Sequence, residues 1–273
     1  FGNREIEGIC KKDTRFNSNI IFLGDSFTEG IQVSDTNSFP GLVQKELCDK
    51  NEDLAYALHA EAPEILASAA KNSGAHFVNI STDHLWEGVE PFIDEDTAPR
   101  PINAYARTKY LGETKTLNTN SNSLVLRTNF FGQGRPWRFS FSDWIINSLQ
   151  NKQPIATFTD AYFTPIGLSH LCPLMHELVK QGASGIFNLA GKERVSKFEF
   201  SIRLAAFLRL DDKFIRPGKL IDAHLTAQRP ADMSLAVEKI ERFLGKPMPS
   251  LDECFASLMD NPNNANHIGK NND

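Results

Sequence analysis

The chain has 273 residues, of which 41% are hydrophobic and 23% are charged, and its formal net charge is −5. This composition is typical of a globular protein with one large core or two smaller ones. It excludes a transmembrane helix, because no run of 18 apolar residues occurs, and the acidic balance argues against a protein that binds nucleic acid.

The cysteines are few and far apart, and none forms a CxxC pair. This spacing predicts reduced thiols rather than a disulfide framework or a zinc site. The stretch 1–16 is polar and charged, so a signal peptide is not expected there, and we predict a cytoplasmic protein without a membrane partner. The cysteines are Cys10, Cys48, Cys172 and Cys254.

The predicted elements begin with a buried strand at 20–24, the apolar run IIFLG, and a short helix at 39–47. A long helix is expected over 54–72, where Ala and Leu are frequent, with a break at Pro63. The run AHFVNIS at 75–81 then predicts a second buried strand.

Asn103 can cap the next helix, which is expected to run to about Leu117 and to be followed by a strand at 123–128. The Asn-rich tail 261–273 is expected to be disordered. The remaining predicted elements are helices at 140–150 and 167–181, a strand at 185–191 and a helix at 196–208.

Strands that alternate with helices predict an α/β fold, in which a parallel sheet is covered on both faces. Such sheets bind ligands at the carboxyl ends of their strands. The polar residues directly after the predicted strands are therefore candidate site residues. They are Asp25 and Ser26, Ser81 to Asp83, and Thr128 with Asn129.

Tyr105 and Lys109 are four residues apart, so they share one face of their predicted helix. A nearby cation lowers the pKa of a phenol from its usual value of about 10 and lets it exchange a proton near neutral pH. Thr82, at the end of a predicted strand, could place a hydroxyl beside that phenol. These three residues would suit the conversion of a carbonyl to an alcohol, for which a nicotinamide cofactor supplies the hydride. The spacing alone also fits an interfacial tyrosine with an exposed helical lysine.

Three neighbouring segments strengthen the first interpretation: STDHLWEG at 81–88, PFIDEDTAPRPINAYARTKYLGE at 91–113 and LVLRTNFFG at 124–132. In order and spacing they resemble the extended short-chain dehydrogenase/reductases, and within these the dTDP-4-dehydrorhamnose reductases. The likeness extends over about 54–260. It implies a Rossmann-like sheet with a smaller C-terminal α/β substrate domain, and the reduction of a 4-keto sugar nucleotide by NADPH or NADH.

The resemblance also implies roles for individual residues. Thr82 would orient the carbonyl, Tyr105 would donate the proton, and Lys109 would hold the nicotinamide ribose. The sugar nucleotide would lie near the residues that follow the strand at 123–128 and near an Arg-Pro pair, that is, near Thr128, Asn129 and Arg229. The resemblance is also compatible with a homodimer.

The cofactor-binding half of such a reductase is missing. The glycines between residues 1 and 53 include no pair with GxxG spacing, whereas a dinucleotide loop needs GxxGxxG between a strand and a helix. We therefore expect a truncated sheet. A non-catalytic sugar-nucleotide-binding or regulatory module is the alternative to an active reductase.

The segment 20–47 instead resembles the first block of the GDSL/SGNH hydrolases, in which the serine of GDS, here Ser26, is the nucleophile. That family supplies the base in a DxxH motif, and none of the seven histidines has Asp three residues before it. A Ser26 esterase is thus the less favoured alternative. We expect the strand at 20–24 to pack beside the strand at 75–81.

Other candidates are assigned structural roles, and no metal site is expected. His170, Cys172 and His176 lie on one helix without a fourth ligand, and the acidic residues 94–96 fit a solvated loop. The aromatic run 135–144 is expected to be a flap over the substrate pocket. The predicted organisation is a hydrolase-like fragment at 1–53, a remnant of the nucleotide-binding domain at 54–155, a substrate-binding part at 156–260 and the tail at 261–273.

Overall fold

The computed structural model describes residues 48–134, 139–223 and 227–259, and the backbone of a strand at 20–23. These residues form a mixed α/β fold with parallel sheets, as the sequence predicted. The strands are β1 Ile20–Leu23, β2 His76–Ile80, β3 Leu124–Arg127, β4 Phe130–Phe131, β5 Ile155–Phe158, β6 Tyr162–Phe163, β7 Ile166–Gly167, β8 Gly185–Asn188, β9 Val195–Ser196, β10 Ile215–Gly218 and β11 Asp232–Met233. The helices are α1 Glu52–Tyr56, α2 Ala62–Ser73, α3 Ala104–Thr119, α4 Phe141–Gln150, α5 Leu168–Lys180, α6 Lys197–Phe207, α7 Glu238–Leu244 and α8 Leu251–Met259, with a π-helical turn at Ala57–Glu61 between α1 and α2.

The central sheet has four parallel strands in the order β1-β2-β3-β8 within the described residues. Ile20 lies opposite His76, so β1 pairs directly with β2. Val78 lies opposite Leu124, so β2 pairs with β3. The predicted pairing of the IIFLG run with AHFVNIS is confirmed. All four residues of β3 are buried, which is typical of a strand covered on both faces.

Smaller sheets build the part of the chain that faces the carboxyl ends of the central strands. The strand β5 pairs in parallel with β10, and β4 pairs in parallel with β7. The strand β6 lies between β11 and β9 in a three-stranded sheet. Helix α6 follows β9 directly.

The predicted long helix is interrupted, but not by the break expected at Pro63. The chain is helical from Glu52 to Ser73, and the irregularity is the π-helical turn, in which the Ala62 amide donates to Ala57 O. Pro63 lies inside the first turn of α2 and has no N–H for the carbonyl of His59, four residues earlier. The wider turn accommodates that missing hydrogen bond, so Pro63 displaces the irregularity to the preceding turn.

The carbonyl of His59 meets helix α3 at Gly112. A Cβ added to Gly112 would lie 1.9 Å from His59 O, so no larger residue fits without movement of the backbone. The absence of a side chain at Gly112 therefore lets the π-helical turn pack directly against α3.

Most predicted element boundaries agree with the structure to within one or two residues. Asn103, Ser140 and Ser196 cap helices through their side chains, and Gly74 ends α2 with a left-handed φ of 69°. The strand predicted at 185–191 is shorter, because it ends at Asn188. The predicted helix at 39–47 and the tail at 261–273 lie outside the described residues.

Two further findings concern the cysteines and the length and polarity of the helices. Among the described residues Cys48, Cys172 and Cys254 form no disulfide bond, and burial raises the pKa of Cys254 to about 11. No helix among them is long and apolar enough to cross a membrane.

Candidate functional site

The candidate site lies at the carboxyl ends of β2 and β3, beside the first two turns of α3. The Asn103 side chain accepts a hydrogen bond from the Ala106 amide, and the Asp49 carboxylate accepts one from the Ala104 amide at 2.8 Å. Both contacts satisfy amides that the helix itself leaves unpaired. They fix the start of α3, from which Tyr105 and Lys109 project.

Tyr105 is only 5% exposed and its ring lies between two imidazoles. The ring of His59 is 5.5 Å away between centroids and that of His84 is 6.2 Å away, and both stand nearly perpendicular to the phenol ring. Edge-to-face contacts of this kind favour one ring orientation. The sequence did not indicate either histidine as a neighbour of Tyr105.

His59 is hydrogen-bonded to helix α3. Its Nδ1 lies 2.9 Å from the hydroxyl of Thr108, which also lies 3.0 Å from the Ala104 carbonyl. This contact links the π-helical turn to α3 at the level of Tyr105.

Lys109 is buried and its amine donates to the carbonyl of Ile80 at 2.6 Å. Ile80 is the last residue of β2, so the ammonium lies at the strand end where parallel sheets bind ligands. The structure thus places Lys109 on the same side of α3 as the buried Tyr105. The exposed-lysine interpretation of the YxxxK spacing is wrong.

The loop after β2 joins the ends of two strands. Asn129 Nδ2 donates to Asp83 Oδ2 at 2.5 Å. The hydroxyl of Thr82 is 3.4 Å from Asp83 Oδ1 and accepts from the His84 amide at 3.3 Å. Because His84 also contacts the Tyr105 ring, these contacts tie Thr82 to the same cluster as Tyr105.

Two further residues expected near a ligand lie at the margins of this cluster. Thr128 is buried, and its hydroxyl has no hydrogen-bond partner within the part of the chain that the structure describes. Asn103 donates to the carbonyl of Gln228 at 3.0 Å, which places the neighbouring Arg229 beside the start of α3. The buried hydroxyl of Thr128 is therefore available to a ligand.

A buried ion pair holds α3 against the sheet behind the site. Arg127 donates twice to the Glu113 carboxylate, at 2.8 Å from Nη2 and 3.0 Å from Nε. The Ser81 hydroxyl donates to the same carboxylate at 2.5 Å, and the Trp86 ring lies 5.0 Å from the guanidinium. Charged pairs this deeply buried need such additional hydrogen bonds. Nothing in the sequence indicated this network, since its members lie up to 46 residues apart.

An aromatic wall, formed by Phe141, Phe163 and Lys197, faces this polar cluster from the C-terminal side. The amine of Lys197 lies 3.2 Å from the centroid of the Phe163 ring and 4.9 Å from that of Phe141. Burial lowers the pKa of Lys197 to about 7, against the opposing effect of the Asp83 carboxylate. The sequence signal for this feature is the position of Lys197 in the first turn of a helix, where the helix dipole disfavours a cation.

The remaining sequence predictions are outside the described residues or apart from this site. Ser26 and residues 135–138 of the predicted flap are outside. His170 borders a separate depression of about 310 Å³, together with Lys192 and Lys246. No group of three or more His, Cys, Asp or Glu side chains is placed to hold a metal within the described ranges.

The chain matches a known protein family over most of its length. The family model of the RmlD substrate-binding domain matches residues 43–263.

Among characterised sequences, the probable low-salt glycan biosynthesis reductase Agl14 of Haloferax volcanii is 28% identical over 215 residues. That alignment covers 77% of this chain and 72% of the relative. Methionine adenosyltransferase 2 subunit beta of Xenopus laevis is 26% identical over 214 residues, or 75% of this chain. The alignment spans 63% of that protein's length, less than two thirds.

Solved structures give the same fold. The dTDP-4-dehydrorhamnose reductase of Bacillus anthracis in complex with NADP superposes with a TM-score of 0.74 at 24% identity, covering 80% of this chain and 76% of that one. A hypothetical dTDP-4-dehydrorhamnose reductase of Sulfolobus tokodaii gives a TM-score of 0.68 at 27% identity, covering 81% and 76%. These likenesses confirm the Rossmann-like fold.

Proposed function

Because the chain belongs to the RmlD substrate-binding-domain family, we propose that it binds a sugar nucleotide and reduces a 4-keto group of its sugar with NADPH or NADH. The observation that carries this proposal is the burial of Tyr105 and Lys109 together at the carboxyl ends of β2 and β3. Parallel sheets of this kind bind their ligands at that edge.

The roles follow from the chemistry of the side chains. Tyr105 donates its phenolic proton to the oxygen that develops negative charge, and the Thr82 hydroxyl donates a hydrogen bond to the same oxygen. The ammonium of Lys109 favours the phenolate left behind. A bound nicotinamide supplies the hydride to the carbonyl carbon.

The residues present fit the nicotinamide side of the cofactor. A phenol and an ammonium at the end of β2 are suitable donors for the hydroxyls of a nicotinamide ribose. The pyrophosphate side would contact the chain after β1, which lies outside the described residues and has no GxxG spacing.

The sugar nucleotide would contact Thr128, Asn129 and Arg229. The buried Thr128 hydroxyl is available as a donor, and an arginine is well suited to a diphosphate. On this proposal residues 54–155 carry the proton-transfer groups and 156–260 bind the sugar, with 1–53 as an added fragment.

The test is a titration of the purified chain with NADPH, followed by nicotinamide fluorescence and calorimetry. We expect saturable binding in the micromolar range and oxidation of NADPH when a dTDP-4-keto sugar is added. Tyr105→Phe should bind both ligands and lose turnover. Binding of neither NADPH nor NADH up to millimolar concentration would contradict the reductase function.

A non-catalytic sugar-nucleotide-binding or regulatory module is the second candidate. Two observations favour it: the missing GxxG spacing in 1–53, and the similarity to proteins named methionine adenosyltransferase 2 subunit beta. Binding of a dTDP-sugar without any turnover of NADPH or NADH would select this function over the first.

A further inference from the structure

Lys197 is a partly buried residue whose amine nothing in the described fold requires. It begins α6, and its backbone amide donates to the Ala161 carbonyl at 2.9 Å. Its side-chain amine lies over Phe163 and Phe141, and it makes no hydrogen bond to any residue that the structure describes. Partial burial disfavours the charged amine, and no described residue accepts its hydrogen bonds, so its presence here points to a ligand that does.

A second lysine shows what a structural role looks like in this chain. The amine of Lys239 lies 4.8 Å from the Phe187 ring, a contact similar to that of Lys197 with Phe141. Unlike Lys197, Lys239 also donates to the carbonyl of Ile186 at 2.7 Å. Contact with an aromatic ring therefore does not explain why the amine of Lys197 lacks an acceptor.

The position of Lys197 relative to Asp83 locates the missing partner. The Asp83 carboxylate is close enough to favour the charged form of Lys197, and it is held by Asn129 at the end of β3. Asp83 follows Thr82 directly and contacts the His84 imidazole at 3.7 Å. The carboxylate whose charge acts on the amine of Lys197 thus belongs to the polar cluster that contains Tyr105.

We propose that Lys197 binds the sugar ring of the sugar nucleotide, by donating a hydrogen bond to a ring hydroxyl across the site from Asp83. The inference rests on the proposed function and adds to it a residue that recognises the sugar rather than the nucleotide.

The charges favour a hydroxyl over the diphosphate as the group that Lys197 binds. A diphosphate carries negative charge, and the Asp83 carboxylate beside Lys197 would repel it. A hydroxyl both donates and accepts, so it can be bound between an ammonium and a carboxylate. The hydroxyl must also lie near the carbonyl that Tyr105 protonates, which is on the same sugar.

The experiment measures binding, not turnover, by calorimetry on the full chain with dTDP-glucose and with dTDP. For Lys197→Met we expect about a tenfold to hundredfold loss of affinity for dTDP-glucose, the range for one hydrogen bond to a charged group. The affinity for dTDP should remain within twofold of the wild-type value. Lys239→Met is the matched control and should bind both ligands like the wild type. Lys197→Gln keeps an N–H donor and should show an intermediate loss.

Each outcome decides one question. Equal affinity of wild type, Lys197→Met and Lys197→Gln for dTDP-glucose would overturn the role of Lys197 and leave the proposed function intact. An equal loss for dTDP and dTDP-glucose would place Lys197 at the nucleotide and also overturn it. Failure of the wild-type chain to bind either ligand would overturn the sugar-nucleotide function itself, and with it this assignment.

Discussion

The two sides of the candidate site differ in how they hold their charged groups. On the side of α3, Lys109 donates to a backbone carbonyl, and the Glu113 carboxylate accepts from Arg127 and Ser81. On the aromatic wall, Lys197 rests on two phenyl rings without a hydrogen bond to any described residue. Each side contains a cation, buried at Lys109 and partly buried at Lys197, but among the described residues only the first side provides it with an acceptor.

The presence or absence of a described acceptor distinguishes charged residues that stabilise the fold from those that we propose bind a ligand. A buried ion pair with several hydrogen bonds is destabilised strongly when one partner is removed. A desolvated amine lacking an acceptor has the opposite property, because its removal relieves a desolvation penalty. Substitutions on the two sides should therefore change the free energy of unfolding in opposite directions.

The largest expected effect is on catalysis. Tyr105→Phe removes the proposed proton donor and leaves the ring between its two imidazoles, so NADPH-dependent turnover should fall about 10²- to 10⁴-fold. Steady-state kinetics with a dTDP-4-keto sugar measures this. The thermal unfolding midpoint should hardly change, and Tyr110→Phe on the same helix serves as the control. Activity retained within threefold would remove Tyr105 from the proposed mechanism.

The next effect is on stability. Arg127→Met leaves the Glu113 carboxylate buried without its cation, and the free energy of unfolding should fall by about 3–5 kcal/mol. Urea unfolding followed by fluorescence gives this value. The double variant Arg127→Met with Glu113→Gln should recover part of the loss, since it removes the unpaired charge. A single-variant loss below about 1 kcal/mol would mean that the pair does not hold α3 on the sheet.

Gly112→Ala tests the contact between the π-helical turn and α3. The added Cβ would lie 1.9 Å from His59 O, so the backbone must move, and we expect a net loss of about 1–2 kcal/mol after the gain in helix propensity. Exposed Asn118 on the same helix provides the control, because Asn118→Ala should be neutral or slightly stabilising. If Gly112→Ala were as stable as the control variant, the close approach would not constrain the fold.

Sequence patterns predicted the parts of the site that depend on local chemistry. The Asn103 cap, the shared face of Tyr105 and Lys109, and the polar residues after β2 and β3 all follow from spacing or from element ends. The pairing of β1 with β2 also agrees with the packing expected for the predicted strand at 20–24. These features need no knowledge of which distant residues meet.

What the sequence did not reveal depends on distant contacts. Asp83 and Lys197 are more than a hundred residues apart, and nothing local to either predicts that they face each other. The π-helical turn arises from Pro63 and Gly112 together, so the proline alone suggested a break instead. The hydrolase-like role of Ser26 stays a prediction, because that residue is outside the described ranges.

A further effect, and the one that most sharpens the comparison, is the pH dependence of stability at Lys197. Burial lowers its pKa to about 7 in the folded chain, whereas a lysine in the unfolded chain has a pKa of about 10.4. Between these values the unfolded chain binds more protons, so this residue makes wild-type stability rise with pH across that window.

Lys197→Met lacks this contribution. The variant should therefore be more stable than the wild type at pH 7, by an amount that shrinks as the pH approaches 10. Urea midpoints at pH 7, 8 and 9 measure the difference, and Lys239→Met should show no such trend. A constant difference between Lys197→Met and the wild type over this range would mean that the amine of Lys197 is solvated in the folded chain, and the contrast between the two sides of the site would fail.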